Sequence, residues 1–171
     1  MSEKYIYYTD GAATMKQIDS EYVRCAGGWA WARVDKDLNV ISTGTDGDSE
    51  TTNNAMELTA IREALKDFSN CIEGKEFGET IEINSDSAYS INVLTNWAFS
   101  WEKNGWTRGK KHEPIENLEL IKEIFYLIKR LKDTGNTVEF IKVKGHSGVE
   151  VNELVDKLAV SSKEKYLAVK E

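Results

Sequence analysis

Four acidic residues, Asp10, Glu57, Asp86 and Asp156, stand far apart in the chain, each at the edge of an apolar strand or on a helix whose opposite face is apolar. Carboxylates gathered in this way offer hard oxygen ligands to a divalent cation, and the chemistry they support is cutting of a phosphodiester. With two cysteines and two histidines in the whole chain, the ligand inventory favours Mg²⁺ or Mn²⁺ over zinc. Three or four acids suffice to hold two ions about 3.5–4 Å apart around one phosphate. Crowded together without metal they repel, and at least one is expected to keep a proton. Taken singly, each acid also has an ordinary explanation. Asp10 before Gly11 suits a turn, Glu57 complements a helix dipole, Asp86 after Ser85 suits a cap, and Asp156 suits a solvated face.

The elements that must bring them together are legible as changes of period. Lys4 to Thr9 is aromatic and β-branched, reads as a strand, and is expected to stop at Asp10-Gly11. Gly27 to Val34 reads as a second strand, Asp35-Lys36-Asp37 as a tight turn, and Leu38 to Gly44 as a third, an antiparallel meander. Ile61, Ala64, Leu65 and Phe68 fall at i, i+3, i+4 and i+7, which predicts an amphipathic helix over 54–68 with capping oxygens at Thr51, Thr52 and Asn53. Thr80 to Asn84 predicts a strand ending at Ser85-Asp86, with a helix following through Leu94. A helix over 117–132, a strand over 138–143 and a helix over 150–165 complete the chain, with Pro114 expected near the start of the first of these helices. This order predicts one mixed α/β domain over residues 1–171, an antiparallel edge joined to parallel central strands by right-handed crossovers. Carboxylates at strand ends and on exposed helix positions then meet at one rim of the sheet.

Charge and composition narrow the partners. A net charge of −7 argues against coating nucleic acid by global attraction. Between Trp101 and His112, however, Lys103, Arg108, Lys110 and Lys111 face only Glu102. A basic segment beside concentrated carboxylates suits metal-assisted work on a phosphate backbone, although a solvated loop has the same composition. No stretch approaches the roughly 20 apolar residues of a membrane span, and the N-terminus does not read as a secretory signal. Two cysteines suggest reduced thiols and a cytoplasmic protein, expected to be a monomer.

The words around the acids are more specific than the acids. Tyr8-Thr9-Asp10-Gly11, Thr51-Thr52-Asn53-Asn54-Ala55-Met56-Glu57-Leu58, Asn84-Ser85-Asp86-Ser87, and Val143-Lys144-Gly145-His146-Ser147-Gly148 with Asn152-Glu153 and Asp156-Lys157-Leu158-Ala159 closely resemble the motifs of type 1 ribonuclease H, in order and in element type. The likeness runs from about Tyr5 to Ala159, and the segment from Trp101 to Lys111 resembles the basic handle of bacterial members. The resemblance implies a ribonuclease H-like fold, a five-stranded mixed sheet flanked by helices. It implies endonucleolytic hydrolysis of the RNA strand of an RNA–DNA hybrid, giving 5′-phosphate and 3′-hydroxyl ends.

Under that resemblance Asp10, Glu57, Asp86 and Asp156 are the ligands of two Mg²⁺ ions, with Mn²⁺ as a substitute and Asp10 bridging. Glu57 also accepts a hydrogen bond from a ribose 2′-hydroxyl. His146 assists proton transfer or product release. Asn53 and Asn54 contact the hybrid near its minor groove, Thr52 and Asn117 hold a phosphate of the DNA strand, and Ser87 belongs to the substrate-binding set. Trp101 and Trp106 support the handle or pack on sugars, while Lys103, Arg108, Lys110 and Lys111 meet phosphates. Two departures stand out. The stretch from Ala12 to Ala26 is longer than the family's glycine- and proline-rich loop and contains no proline, and Glu50 stands where many relatives carry a basic residue. A domain of the same fold acting on another nucleic acid, or a module that binds without cutting, is the competing reading. With no added hybrid-binding domain expected, processivity is expected to be modest.

Overall fold

The structure is a computed structural model that describes residues 4–14, 16–18, 21–23, 25–75, 78–144 and 149–169. His146 lies outside the described residues, as do parts of the Ala12–Ala26 stretch. The strands are β1 (Lys4–Ala13), β2 (Lys16–Ile18), β3 (Glu21–Val23), β4 (Cys25–Val34), β5 (Val40–Thr51), β6 (Thr80–Ser85) and β7 (Thr137–Lys142). The helices are α1 (Asn53–Cys71), α2 (Ala88–Asn92), α3 (Ala98–Lys103), α4 (Leu118–Asp133) and α5 (Glu150–Val169), with a π-helical turn, Val93–Trp97, between α2 and α3. Five strands form one sheet in the order β5-β4-β1-β6-β7. The pairs β5-β4 and β4-β1 are antiparallel, while β1-β6 and β6-β7 are parallel.

The two-residue period of β1 builds two cores, because successive side chains leave opposite faces of a strand. Tyr5 and Tyr7 go to one face with Leu58, Ile61, Leu65 and Phe68 of α1 and with Ile121, Ile124 and Ile128 of α4. Ile6 and Tyr8 go to the other, against Val151, Val155 and Ala159 of α5. β4 divides likewise, with Trp31 toward the first core and Ala30, Ala32 and Val34 toward the second. The small residues on the α5 side let that helix approach closely. A Cβ at Gly28 would sit 2.1 Å from the Ala159 carbonyl oxygen and 2.6 Å from the Lys163 nitrogen. Thr45 and Ser162 hydroxyls, 2.6 Å apart, and Tyr166 donating to Asp46 (2.8 Å) extend this seam toward the end of α5.

Several boundaries differ from the sequence reading. β1 does not stop at Asp10-Gly11 but continues to Ala13, because β4 pairs with it as far as Ala13↔Gly27. β5 likewise runs past Gly44 to Thr51, held by β4 through Cys25↔Thr51. The helix expected through Leu94 is divided by the π-helical turn, within which Thr95 donates to the Ile91 carbonyl (2.6 Å). Pro114 is not at a helix start: α4 begins at Leu118 after Asn117, which has φ of 59°. That left-handed conformation is tolerated by asparagine better than by most residues. The stretch after Ala13 contains a second, two-stranded sheet, β2-β3, where the sequence reading had only a loop.

Candidate active site

The parallel pairing of β1 with β6 ends at Thr9↔Ser85. Asp10 and Asp86 are the next residues, so the two carboxylates leave the sheet side by side at the carboxyl end of a parallel pair, the usual place for sites in such sheets. Glu57 arrives from α1. A Cβ on Gly11 would lie 2.4 Å from the Glu57 nitrogen and the Met56 carbonyl carbon, so only glycine permits this approach of strand to helix. Thr52 fixes where α1 starts, its Oγ1 accepting from the Ala55 N–H (3.2 Å). Ligand oxygens of Asp10, Glu57 and Asp86 lie within 4.8 Å of one another. Asp156, on the α5 face beside Asn152 and Glu153, completes the wall of a cleft of about 260 Å³ that also includes Gly11, Ala12 and Asn53.

Charge is unfavourable in this cleft as it stands. Burial pushes Asp10 up to about 7, and the charges of Asp86 and Asp156 push the same way, against the Glu57 hydrogen bond and the Gly11 N–H (2.9 Å). Burial raises Glu57 well above the ordinary carboxylate range, and the neighbouring charge and hydrogen bond of Asp10 add to it. Glu57 is 6% exposed, and among the described residues its Oε2 has no hydrogen-bond partner. A buried carboxylate oxygen left without a donor, in a group of three acids within ligand distance, fits a hard divalent cation.

The structure brings together Asp10, Glu57, Asp86, Asp156 and Asn53 in one cleft. Asn53 lines the cleft, and its Oδ1 accepts from Ala13 N–H (2.8 Å). Asn54 is exposed beside it. Ser87 caps α2, its Oγ accepting from Ser90 N–H (3.1 Å) and donating to Ser90 Oγ (2.9 Å). Asn117 begins α4 with no capping bond from its side chain. Trp101 lies with Tyr89, Trp97 and Arg108 around a separate cavity of about 650 Å³. Trp106 packs edge-on against Phe125 and Tyr126 and donates from Nε1 to the Tyr126 hydroxyl (3.2 Å). Lys103, Arg108, Lys110 and Lys111 are exposed, with Arg108 paired to Glu113 (3.2 Å).

Three residues that stand within the quoted sequence words were given no role of their own there. Asn152 and Glu153 line the cleft, and their positions four and three residues before Asp156 are the helical spacing that would have found them. Asn104 ties the basic segment into a loop, its Nδ2 donating to the carbonyls of Thr107 (3.1 Å) and Gly109 (2.8 Å). An interior asparagine without periodic context carried no such signal.

The family model for RNase H matches residues 2–164. The chain belongs to the RNase H family of enzymes. It is 34% identical over 168 residues to a ribonuclease H of Treponema denticola, covering 94% of this chain and 97% of that one. A ribonuclease H of Anaeromyxobacter dehalogenans is 41% identical over 114 residues, 67% of this chain, and the match spans about half of that relative, 55%. Among solved structures, LC11-RNase H1 in complex with an RNA/DNA hybrid superposes with a TM-score of 0.64 at 20% identity, covering 95% of this chain and 99% of that one. At that identity the likeness is one of fold, and family membership rests on the sequence matches.

Proposed function

We propose that this protein hydrolyses the RNA strand of RNA–DNA hybrids endonucleolytically, by a two-metal mechanism that leaves 5′-phosphate and 3′-hydroxyl ends. The observation that carries this is the convergence of Asp10, Glu57 and Asp86 within 4.8 Å at the end of a parallel strand pair, in an RNase H family chain. Asp10, Glu57, Asp86 and Asp156 are the residues that would hold two Mg²⁺ ions, or Mn²⁺ in their place. The ions supply, when bound, the positive charge that polarises water and neutralises the departing 3′ oxygen.

The protein's own part is to fix geometry. Gly11 and the Thr52 cap set the distance from α1 to β1, and the seam along Gly28 sets α5 and with it Asp156. The side-chain amide of Asn53, which lines the cleft, suits sugar edges and backbone, which is sequence-tolerant recognition. Glu57 accepts from a ribose 2′-hydroxyl, and His146 assists proton transfer or product release. Thr52 and Asn117 bind a DNA-strand phosphate, with Glu50 weakening that grip, while Ser87, Asn54, Trp101, Trp106 and the exposed cations of the basic loop complete the contact to the duplex. Support for the hybrid comes from the likeness in fold to LC11-RNase H1, which was solved in complex with an RNA/DNA hybrid. The chain acts as one domain and as a monomer in the cytoplasm, a setting in keeping with the free thiol of Cys71.

The test offers the protein an RNA–DNA hybrid, duplex RNA, duplex DNA and single-stranded RNA, with and without Mg²⁺ or Mn²⁺. The expected result is RNA-strand cleavage in the hybrid alone, dependent on metal and abolished in Asp10→Asn. Binding of the hybrid without cleavage in either metal would contradict the proposal and favour a binding module.

A further inference from the structure

Strand β5 lies at the edge of the main sheet, paired with β4 on one side and, among the described residues, with no strand on the other. Its start is apolar and exposed. Leu38, Val40 and Ile41 are 44%, 47% and 55% exposed, and none of them belongs to either core. The turn that presents them is tightly built. Asp35 N–H donates to the Asn39 carbonyl (2.9 Å) and Leu38 N–H to the Asp35 carbonyl (3.0 Å). One carboxylate oxygen of Asp35 accepts from the Asp37 and Asn39 N–H groups (2.9 Å each), and the other accepts from Asn39 Nδ2 (3.2 Å). This frame holds Leu38 at φ of 65°, the conformation that glycine usually supplies at the last position of a three-residue hairpin loop. A bulky side chain is strained there, and Leu38 recovers little of that strain by burial. Just beyond, a bulge leaves Ile41 without a partner on β4, since Val34 pairs with Val40 and Arg33 with Ser42. Bulges of this kind re-aim a side chain.

The edge is open beside this apolar tip and closed farther on. From Asp46 to Glu50, carboxylates occupy backbone donors: Gly47 N–H donates to Asp46 Oδ1 (2.8 Å) and Glu50 N–H to Asp48 Oδ1 (3.0 Å). Ser42 to Thr45 carries no charge. An edge with neither charge nor cover is a template for another strand. Charge decides which kind of strand. From Asp35 to Glu50 the acids are Asp35, Asp37, Asp46, Asp48 and Glu50, and Lys36 is the one cation. A second copy of this chain laid antiparallel along Ser42–Thr45 would carry its own Asp48 and Glu50 toward the acidic turn of the first, and like charges across a strand pair are destabilising. A segment with cations on either side of a β-branched run instead meets apolar side chains in its middle and acids at its ends.

We infer that the edge from Leu38 to Thr45 is a docking site for an extended segment of a partner protein, a short β-branched run flanked by lysine or arginine and added antiparallel to β5. Through Val34, Val40 lies level with Ile6, whereas through Ala30 Asp10 lies level with Thr45. The docked segment therefore runs toward the end of the sheet away from the carboxylates. It leaves their cleft open and acts as a tether.

The probe is the peptide Lys-Lys-Val-Thr-Val-Thr-Lys-Lys. Its controls are Glu-Glu-Val-Thr-Val-Thr-Glu-Glu and the lysine peptide N-methylated along its backbone, which cannot extend a sheet. Binding to the intact protein is read by isothermal titration, and the site by hydrogen exchange of the β5 amides. The lysine peptide is expected to bind at least about tenfold tighter than either control, to slow exchange over Ser42–Thr45, and to leave hybrid cleavage within about twofold. Leu38→Gly is expected to melt at or above the parent temperature yet bind the peptide about tenfold more weakly, a pairing that a merely structural leucine would not give. Should Leu38→Gly fail to fold, Ile41→Thr, which keeps a branched side chain, is expected to weaken binding in the same way. Equal binding of the lysine peptide and either control overturns the docking site, as does undiminished binding by a folded Leu38→Gly or no binding at millimolar peptide. Self-association of the parent that Leu38→Gly abolishes would assign the face to a second copy and overturn it too. Because binding is read without cleavage, a protein that cuts no hybrid contradicts the catalytic proposal and leaves this test standing.

Discussion

At the scale of single residues, the site holds two carboxylates, Asp10 and Glu57, where burial opposes their charge. Asp10 is raised from 3.8 to about 7 by burial and by Asp86 and Asp156, and Glu57 is raised well above the ordinary carboxylate range by burial and by Asp10. A carboxyl whose folded value lies above its unfolded one keeps a proton that the unfolded chain has released. Its contribution therefore lowers the stability of the metal-free protein as pH rises from about 4 to about 7, with the full penalty above that range. Melting temperatures measured in EDTA between pH 5 and 8 should show this fall, and Asp10→Asn should flatten it and melt higher than the parent at pH 8. Because cation binding needs the deprotonated carboxylates, metal-induced stabilisation should grow over the same interval. A parent and an Asp10→Asn variant with identical pH profiles in EDTA would contradict this description of the cleft. Asp10→Asn should also reduce cleavage by at least about 10²–10³-fold, the scale expected when one electrostatic element of a site is removed.

At the scale of elements, glycine decides how closely helices meet the sheet. Gly11→Ala places a methyl 2.4 Å from α1 backbone, which cannot yield as a side chain can. The expected cost is about 1–3 kcal/mol in stability, as for overpacking, with a loss of activity beyond that from the displacement of Glu57. Denaturant melts alongside Mg²⁺-dependent cleavage check both. Thr52→Ala should cost about 1 kcal/mol through the lost cap. How much of this was legible in the sequence depends on the element. α1, α4 and α5 announced themselves because each repeats its apolar residues at helical spacing over several turns, and the alternation of β1 and β6 was equally plain. The extension of β1 through Asp10-Gly11 was not legible, because its cause lies in pairing with Gly27 to Trp29 on β4 rather than in its own residues. The same holds for β5, whose Gly44, Gly47 and acids read as a loop until β4 is beside them. Hairpin β2-β3 escaped notice because three-residue strands carry too little periodicity. At the site, the acids were visible by type and by their surrounding words, whereas Asn152 and Glu153, present in those words, were placed at the cleft only by the face of α5.

At the scale of the whole molecule, an acidic chain presents one basic loop, built internally by Asn104 and by left-handed backbone at Gly105, Trp106, Gly109 and His112. Removing the charges of Lys110 and Lys111, which are exposed, should weaken duplex binding uniformly across sequences and reduce its salt dependence, with kcat nearly unchanged. Titration of hybrid at several salt concentrations checks this, and an unaltered salt slope would show that the loop does not meet phosphates. In the proposed reaction the cleft directs water at the RNA phosphodiester. The measurement that meets it most directly is cleavage of a hybrid in ¹⁸O-water with Mg²⁺, followed by mass analysis of the new ends. One ¹⁸O is expected in the 5′-phosphate of the RNA product, with a free 3′-hydroxyl on its neighbour and an intact DNA strand. A 2′,3′-cyclic phosphate, which forms when the ribose rather than water attacks, would contradict it.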